Sequence, residues 1–226
     1  MSIKSFLKSH PAIMDFVACM YNLTHMQGFL KYRISGKLHC KGAFLRGCKI
    51  NINGNSKVEI GRMARLRKCV IGAYGDNCEI LLGGGSTVVS NSFFGAYDNG
   101  SKILIGPNFT MEGGEIASTE GSYIEIGEDC MLSSDLDIRN GDSHAILDES
   151  TFQRTNSAKP IVIGNRVWIA AHARVLKGVH IADGCIIGNS AVVVKDCPEP
   201  HSVYCGNPAK LVKKGILWDR QRKKYI

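Results

Sequence analysis

"IVIGNRVWIAAHARVLKGVHIADGCIIGNSAVVV" fills residues 161–194, and an aliphatic side chain returns at every sixth position, at Ile163, Ile169, Val175, Ile181, Ile187 and Val193. Helical faces recur near 3.6 residues and simple strands at 2, so a strict six marks a larger unit that repeats a short strand and a turn. Four residues beyond each aliphatic position stands another compact residue: Val167, Ala173, Val179, Cys185 and Ala191. The position just after the aliphatic residue is small at Gly164, Ala170, Ala182 and Gly188, although not at Leu176 or Val194. The pattern predicts a coil with flat faces, in which aliphatic side chains fill the interior and each strand stacks on its equivalent one coil later. The small residue is expected to turn the corner, glycine doing so by taking a positive φ. A sandwich of ordinary core strands would show an alternation of period two, and none competes with the six.

Upstream the six-residue rule loosens, yet a longer signature persists as VEIGRMARL from 58, ILLGGGSTV from 80, ILIGPNFTM from 103 and IEIGEDCML from 124. It returns in IVIGNRVWI from 161 and VHIADGCII from 179, giving start-to-start spacings of 22, 23, 21, 37 and 18. Eighteen is one bare coil of three faces. Spacings of 21 to 23 add a few corner residues. The spacing of 37 forces a long polar segment, RNGDSHAILDESTFQRTNSAKP, to leave the solenoid between Ile138 and Lys159. Loop closure becomes costlier only logarithmically with length, and long ordered loops commonly carry function. The expected organisation is an N-terminal helical cap over residues 1–36, a β-helix over 37–205 with its excursion at about 139–159, and a basic tail or helix over 206–226.

The chain has 226 residues, 44% of them hydrophobic, enough for a sizeable core. Of the net charge of +8, the segment from Gly206 onward supplies seven basic residues against one acid. The rest of the chain then sums to nearly neutral, which argues against a nucleic-acid face on the main fold. Nine cysteines, an odd number with no C-x-x-C pair, argue against a secreted disulfide framework and for a reducing cytoplasm. The N-terminus has neither the signature of a signal peptide nor the run of about 18 apolar residues a spanning helix needs. Apolar residues at 13, 16, 17, 20 and 23 fall at helical spacing after Ser9 and Pro11, a helix start. That helix suits a cap on the solenoid. Phe6, Phe16 and Phe29 with Lys4, Lys8 and Lys31 also suit an interfacial helix on a membrane.

The hexapeptides, the polar loop bearing Asp142-Ser143-His144, the segment GNRVWIAAHARVLKGVHIADGCIIGNSAVVVKDCP and the closing CGNPAKLVKKG together resemble the left-handed β-helix acyltransferases. The nearest likeness is to the galactoside and maltose O-acetyltransferase branch and the related polysaccharide O-acetyltransferases, and it is specific between Ile124 and Gly215. The resemblance implies an all-β, left-handed parallel β-helix assembling as a homotrimer. It further implies acetyl-CoA as donor, a carbohydrate acceptor and sites between subunits. Direct transfer to a sugar hydroxyl needs a base that works near neutrality, as histidine does. His144 occupies the family's catalytic loop position, with Asp142 as the residue to orient its ring. The resemblance places the oxyanion-stabilising amide near Ala170 and Ala171. It implies a coenzyme groove along Trp168, Ala171, Asn189 and Ser190, with Lys195, Lys210 and Lys213 for the phosphates. Val194 departs from the family, where threonine is frequent. For Trp168, shielding a coil face is an equally good role. His172 sits outward beside the amide, at a position that tolerates any polar residue.

The acceptor pocket is expected from loops such as 139–159 and 91–101 (NSFFGAYDNGS). An N-acetyltransferase acting on an amino sugar would use the same donor and base. A non-catalytic binding solenoid would hold acetyl-CoA without transfer. A metal-dependent hydratase would need three histidines converging at coil spacing, and no such trio emerges, His144 and His172 included; no metal is expected. The reading is a cytoplasmic sugar O-acetyltransferase of surface polysaccharide or glycolipid assembly, with peripheral membrane contact open to the N-terminal helix or the basic tail.

Overall fold

In the computed structural model, which describes residues 9–25 and 33–222, the chain winds as a parallel β-solenoid of about seven turns after the N-terminal helix Pro11–His25. Its strands form three sheets of eight, seven and nine members. Face A runs from Arg33–Ile34 to Val192–Val193 and face B from Lys37–His39 to His180–Ile181. Face C runs from Phe44–Arg46 to Val203–Cys205. Within every face the pairing is parallel, except that Lys210–Lys213 closes face C antiparallel to Val203–Cys205. The segment after residue 205 is therefore a strand followed by a tail, with no helix among its described residues. The first strand, Arg33–Ile34, begins inside the segment expected to be a cap.

Stacking in register explains the six-residue rule. Ile105 pairs with Ile126, Ile126 with Ile163 and Ile163 with Ile181, so one aliphatic ladder runs up the interior of face B. The 37-residue step closes in this ladder without a slip. Ile163, Ile169, Val175, Ile181, Ile187 and Val193 are all buried, as are Val167, Ala173, Val179, Cys185 and Ala191. Each fully buried aliphatic side chain contributes about 1.5–3 kcal/mol, which makes the interior ladder the main source of stability.

The corners work differently from the expectation. Positive φ does not fall on the small residue after the aliphatic one. It falls three residues after it, at Arg166, His172, Gly178, Gly184 and Ser190, with φ between 52° and 77°. Gly164 and Gly188 are small because the next coil lies against them. A Cβ on Gly164 would stand 2.2 Å from Asp183 Oδ1 and 2.9 Å from its backbone nitrogen, and one on Gly188 would stand 2.3 Å from Cys205 Sγ. Residues 91–101 also differ, forming a regular coil in place of a variable loop. Ser92–Ala96 is a face-A strand with Phe94 and Ala96 in the core.

The helix Pro11–His25 lies on the open edge of face C, where Phe44–Arg46 has no further strand to pair with among the described residues. Asn22 stands in for the missing strand: its side-chain amide donates to Ala43 O (2.9 Å) and its Oδ1 accepts from Leu45 N (2.8 Å). Capping an edge in this way blocks further strand addition. Asp15 receives a bidentate pair from Arg62, and Met14 and Ala18 are the helix residues buried beneath it. Phe6, Phe29, Lys4, Lys8 and Lys31 lie outside the described residues.

Candidate active site

The excursion leaves face A after the strand Leu136–Arg139 and rejoins at Ile161–Ile163 on face B, so it springs from the corner between those faces. Its neck is closed by Asn140, fully buried, whose side-chain amide donates to Ser118 Oγ (3.0 Å) and whose Oδ1 accepts from Thr119 N (2.9 Å). Lys159 N donates to Asn140 O at 3.0 Å from the returning strand of the neck. Glu120, one coil earlier, accepts from Ala158 N and from the Arg154 guanidinium. Arg154 holds the Glu120 carboxyl below the usual carboxylate range, with the Ala158 amide adding to it.

Asn156, itself buried, organises the part that carries His144. Its Oδ1 accepts from Ile146 N (2.8 Å), and its amide donates to His144 O (2.7 Å) and to Asp142 Oδ2 (2.9 Å). Asp142 also receives Lys177 Nζ, which bonds Asn156 O at 2.8 Å. That ammonium, with Asn156 second, lowers the Asp142 pKa. The carboxylate expected to orient the imidazole is thus directed at Lys177 and Asn156. It meets His144 through the backbone, where His144 N donates to Asp142 O at 2.7 Å. Farther out, the Asp148 carboxylate accepts from both the backbone and the hydroxyls of Ser150 and Thr151. These bonds bring its pKa down to about 2. The result is a loop with a fixed backbone, an exposed His144 and three exposed apolar side chains, Ile146, Leu147 and Phe152.

The other expected residues sit on a different corner. Ala170, Ala171 and His172 turn the chain from face C to face A, and Asn189 and Ser190 make the same turn one coil later. In one chain the His144 loop and the alanine turn therefore flank opposite edges of face A. Of the two amides, Ala170 N–H donates to Ile187 O (2.8 Å) within the coil ladder and is committed there. Ala171 N–H has no such partner among the described residues, while Ala171 O accepts from Ser190 N (2.9 Å). The His172 backbone N–H donates to Ser134 O (3.0 Å), and its ring stands 3.6 Å from the Asp135 carboxylate.

Trp168 projects from face C onto Trp218 of the tail, ring centroids 6.3 Å apart. Trp218 is almost fully buried, donates Nε1–H to Arg166 O (2.7 Å), and lies near the guanidinium groups of Arg166 and Arg220, 5.5 and 5.8 Å from its centroid. Both arginines converge on Asp129, which straps the tail along face C. Lys195, Lys210 and Lys213 are exposed, and no ion pair is found for them among the described residues, whereas Lys214 pairs with Glu199 at 2.7 Å.

The family model for the bacterial transferase hexapeptide (six repeats) matches residues 160–195, the stretch with the unbroken six-residue period. A polysialic acid O-acetyltransferase of Neisseria meningitidis is 34% identical over 170 residues, covering 75% of this chain and 78% of its own length. The chain belongs to the hexapeptide-repeat acyltransferases, in their polysaccharide O-acetyltransferase branch. A second polysialic acid O-acetyltransferase, from Escherichia coli O1:K1 / APEC, is 35% identical over 124 residues, 55% of this chain and 40% of that protein. A crystal structure of a polysialic acid O-acetyltransferase superposes with a TM-score of 0.81 at 29% identity, over 85% of this chain and 92% of that one.

Within this acetyltransferase, sequence reasoning located the loop and its histidine but missed the residues that fix them. Asn140, Asn156, Glu120 and Lys177 carry no motif; Asn140, Glu120 and Lys177 find their partners only when the excursion packs on its neighbouring coils, and Asn156 only when the loop folds back on itself. The single available signal was Asn156 itself, an amide in a polar loop, where Asn commonly bonds local backbone.

Proposed function

We propose that the protein transfers the acetyl group of acetyl-CoA to a sugar hydroxyl of an acidic surface polysaccharide or glycolipid, in a site completed by a neighbouring subunit of a homotrimer. The observation that carries this reading is the separation of His144 from the Ala171 turn on opposite edges of face A. Side-by-side packing of prisms offers the loop of one subunit to the turn of the next. The exposed Ile146, Leu147 and Phe152 on that loop supply an apolar surface for such a neighbour. An acidic polymer is favoured as acceptor because two polysialic acid O-acetyltransferases are 34% and 35% identical to this chain over 170 and 124 residues.

Acetyl-CoA supplies the activated acetyl group. The imidazole of His144 accepts the proton of the acceptor hydroxyl on a ring nitrogen as the new ester C–O bond forms, and returns it to the sulfur as the thioester C–S bond breaks, so that coenzyme A leaves as the thiol. The free amide N–H of Ala171 stabilises the negative charge that develops on the carbonyl oxygen under attack. Lys195, Lys210 and Lys213 fit the donor in kind, as cations with no ion pair among the described residues and so open to its phosphates. Asp142 acts as a positioning residue that holds the loop through Lys177 and Asn156 and leaves the ring untouched. The many free thiols, six of them buried, suit a reducing cytoplasm.

The test is a thiol-release assay with acetyl-CoA against polysialic acid, neutral disaccharides and an amino sugar, with wild type and His144→Ala. Release on the acidic polymer, lost in the variant, supports the reading. Turnover on the amino sugar alone moves the enzyme to N-acetylation, and undiminished turnover of His144→Ala ends the base assignment.

A further inference from the structure

The nearly neutral sum outside the tail conceals two opposite halves. Through residue 68 the chain has thirteen basic residues and two acids, and from 69 to 205 it has eight basic residues and seventeen acids. The basic end of the solenoid is the end that carries the helix Pro11–His25. The helix buries Met14 and Ala18 against the solenoid and turns Ile13, Phe16, Val17, Met20 and Leu23 outward. Phe16 is 67% exposed and Leu23 54%. These five positions form one continuous stripe at helical spacing. The helix's one acid, Asp15, is drawn to Arg62, so the outward face holds no charge. Beside it Arg46 and Arg67 stack in register on face C, next to Arg65, and no ion pair is found for any of them among the described residues. Arg46, Arg67 and Lys68 border a recess with Thr24 and His25 at the helix C-terminus.

An apolar helix face of this kind, framed by unpaired cations, fits one environment better than the others. An acidic polysaccharide would use the cations but has no use for Phe16, Met20 and Leu23. A second copy docked end to end on the same face would bring two strongly basic ends together. An anionic lipid surface uses both features, since apolar side chains enter the acyl boundary and the cations meet the headgroups. We propose that this end of the solenoid is a membrane-docking surface, in which the helix lies flat on an anionic bilayer with Arg46, Arg65, Arg67 and Lys68 at the headgroups. The helix has 15 residues, about 22 Å at the usual rise, and no helix among the described residues is long and apolar enough to cross a membrane. Docking is therefore interfacial. It would hold the enzyme where membrane-bound polymers or lipid-linked sugars are made, and it does not depend on the identity of the acceptor.

The test is co-sedimentation of the full chain with vesicles of phosphatidylcholine alone or mixed with phosphatidylglycerol. Binding is expected on the mixed vesicles and to weaken with salt. Replacing Phe16→Glu with Met20→Glu, both exposed and outside the acetyl-transfer site, is expected to weaken it at least about tenfold. Arg65→Ala with Arg67→Ala is expected to weaken it about twenty-five-fold, near fivefold for each cation. An unchanged thermal melt shows that each variant folds. Three results would overturn the proposal. One is failure of wild type to bind phosphatidylglycerol vesicles, including the case in which it captures only free polysialic acid. Another is binding indifferent to the helix pair. The last is a change of oligomeric state in the helix variant without vesicle binding by wild type, which would make the face an interface between copies.

Discussion

Residues 161–194 and residues 33–139 are built to the same plan, yet only the first stretch is wound from bare hexapeptides. Its strands are two or three residues long, and its corners are two-residue turns with one left-handed residue each. The earlier coils carry up to five-residue strands, such as Ser92–Ala96 and Gly114–Ser118, and extra residues at their corners. A bare coil is the most regular version of the fold and leaves least room for variation. The late coils therefore supply backbone at fixed positions, such as the amide of Ala171. Everything that must vary is appended to the plan, as the His144 loop, the tail and the helix at the basic end. If this division is right, substitutions in the appendages should change chemistry while leaving the melt alone, and substitutions in the bare coils should do the opposite.

The largest expected effect is at the appended loop. His144→Ala should lower acetyl transfer by about 10²–10⁴, with an unchanged melting temperature and unchanged donor binding. A parallel loss of cooperative unfolding would show that the loop is part of the core and would break the comparison.

Asn156→Ala should come next, because it leaves Ile146 N and His144 O without their bonds while His144 itself is retained. Small misplacement of a catalytic group can cost up to about 10²-fold in rate, so kcat should fall by roughly ten- to a hundredfold. The donor KM should stay close to wild type. Hydrogen exchange should rise over 140–158 and nowhere in the coils. A KM effect as large as the kcat effect would mean that Asn156 serves binding and not the placement of His144.

The bare coils yield the converse test. Gly164 and Gly178 are both glycines of one coil, but one is small for lack of space and the other is left-handed at φ 77°. Asparagine tolerates the left-handed region. Gly178→Asn should therefore change stability by less than about 0.5 kcal/mol, whereas Gly164→Asn should cost about 1–3 kcal/mol by forcing apart stacked coils. Chemical denaturation measures both. Equal losses would return the corner to the glycine-at-positive-φ scheme that the sequence pattern suggested.

That scheme shows where the sequence is legible and where it is not. The interior positions could be read because burial acts on one side chain at a time and leaves a period. Ile163 and its successors announce themselves without any neighbour. The corner could not be read correctly because smallness at Gly164 is set by Asp183, a residue one coil later that the chain does not meet until it has wound. Distance along the chain likewise hid Asn156, whose loop partners Ile146, His144 and Asp142 lie 10 to 14 residues away, and Lys177, whose partner Asp142 lies 35 away. It also hid the commitment of Ala170 N–H to Ile187 O, which narrows the available amide to Ala171. Charge was misread in another way, because a sum over the body cancelled a basic end against an acidic middle.

Acid should separate the loop from the coils again. The Asp142 carboxyl is held below its ordinary range, first by Lys177 and then by Asn156. Its contribution is fully present above the unfolded value near 4 and is lost as the pH falls through the lowered folded value. Limited proteolysis of the loop should accelerate below about pH 4 while the coils, whose interior ladder is aliphatic, keep their circular dichroism. Asp142→Asn should weaken that step, leaving the part carried by Glu120 and Asp148, and lower transfer modestly at neutral pH.

The smallest effect is expected at the exposed lysines of the last coil and the tail. Lys195 and Lys213 are exposed, and an exposed charge pair contributes only about 0.2–1 kcal/mol. Lys195→Ala with Lys213→Ala should therefore raise the KM for acetyl-CoA a few-fold and leave kcat unchanged. The difference from wild type should shrink as salt is raised, because charges in water are screened beyond about 8 Å at physiological ionic strength. Lys214, paired with Glu199, serves as the internal control, since its removal frees a carboxylate instead of removing a lone cation. If Lys214→Ala alone raises KM as much as the double variant does, the phosphates are recognised by the tail's total charge. A larger effect of the double variant instead means that they are recognised at those two positions.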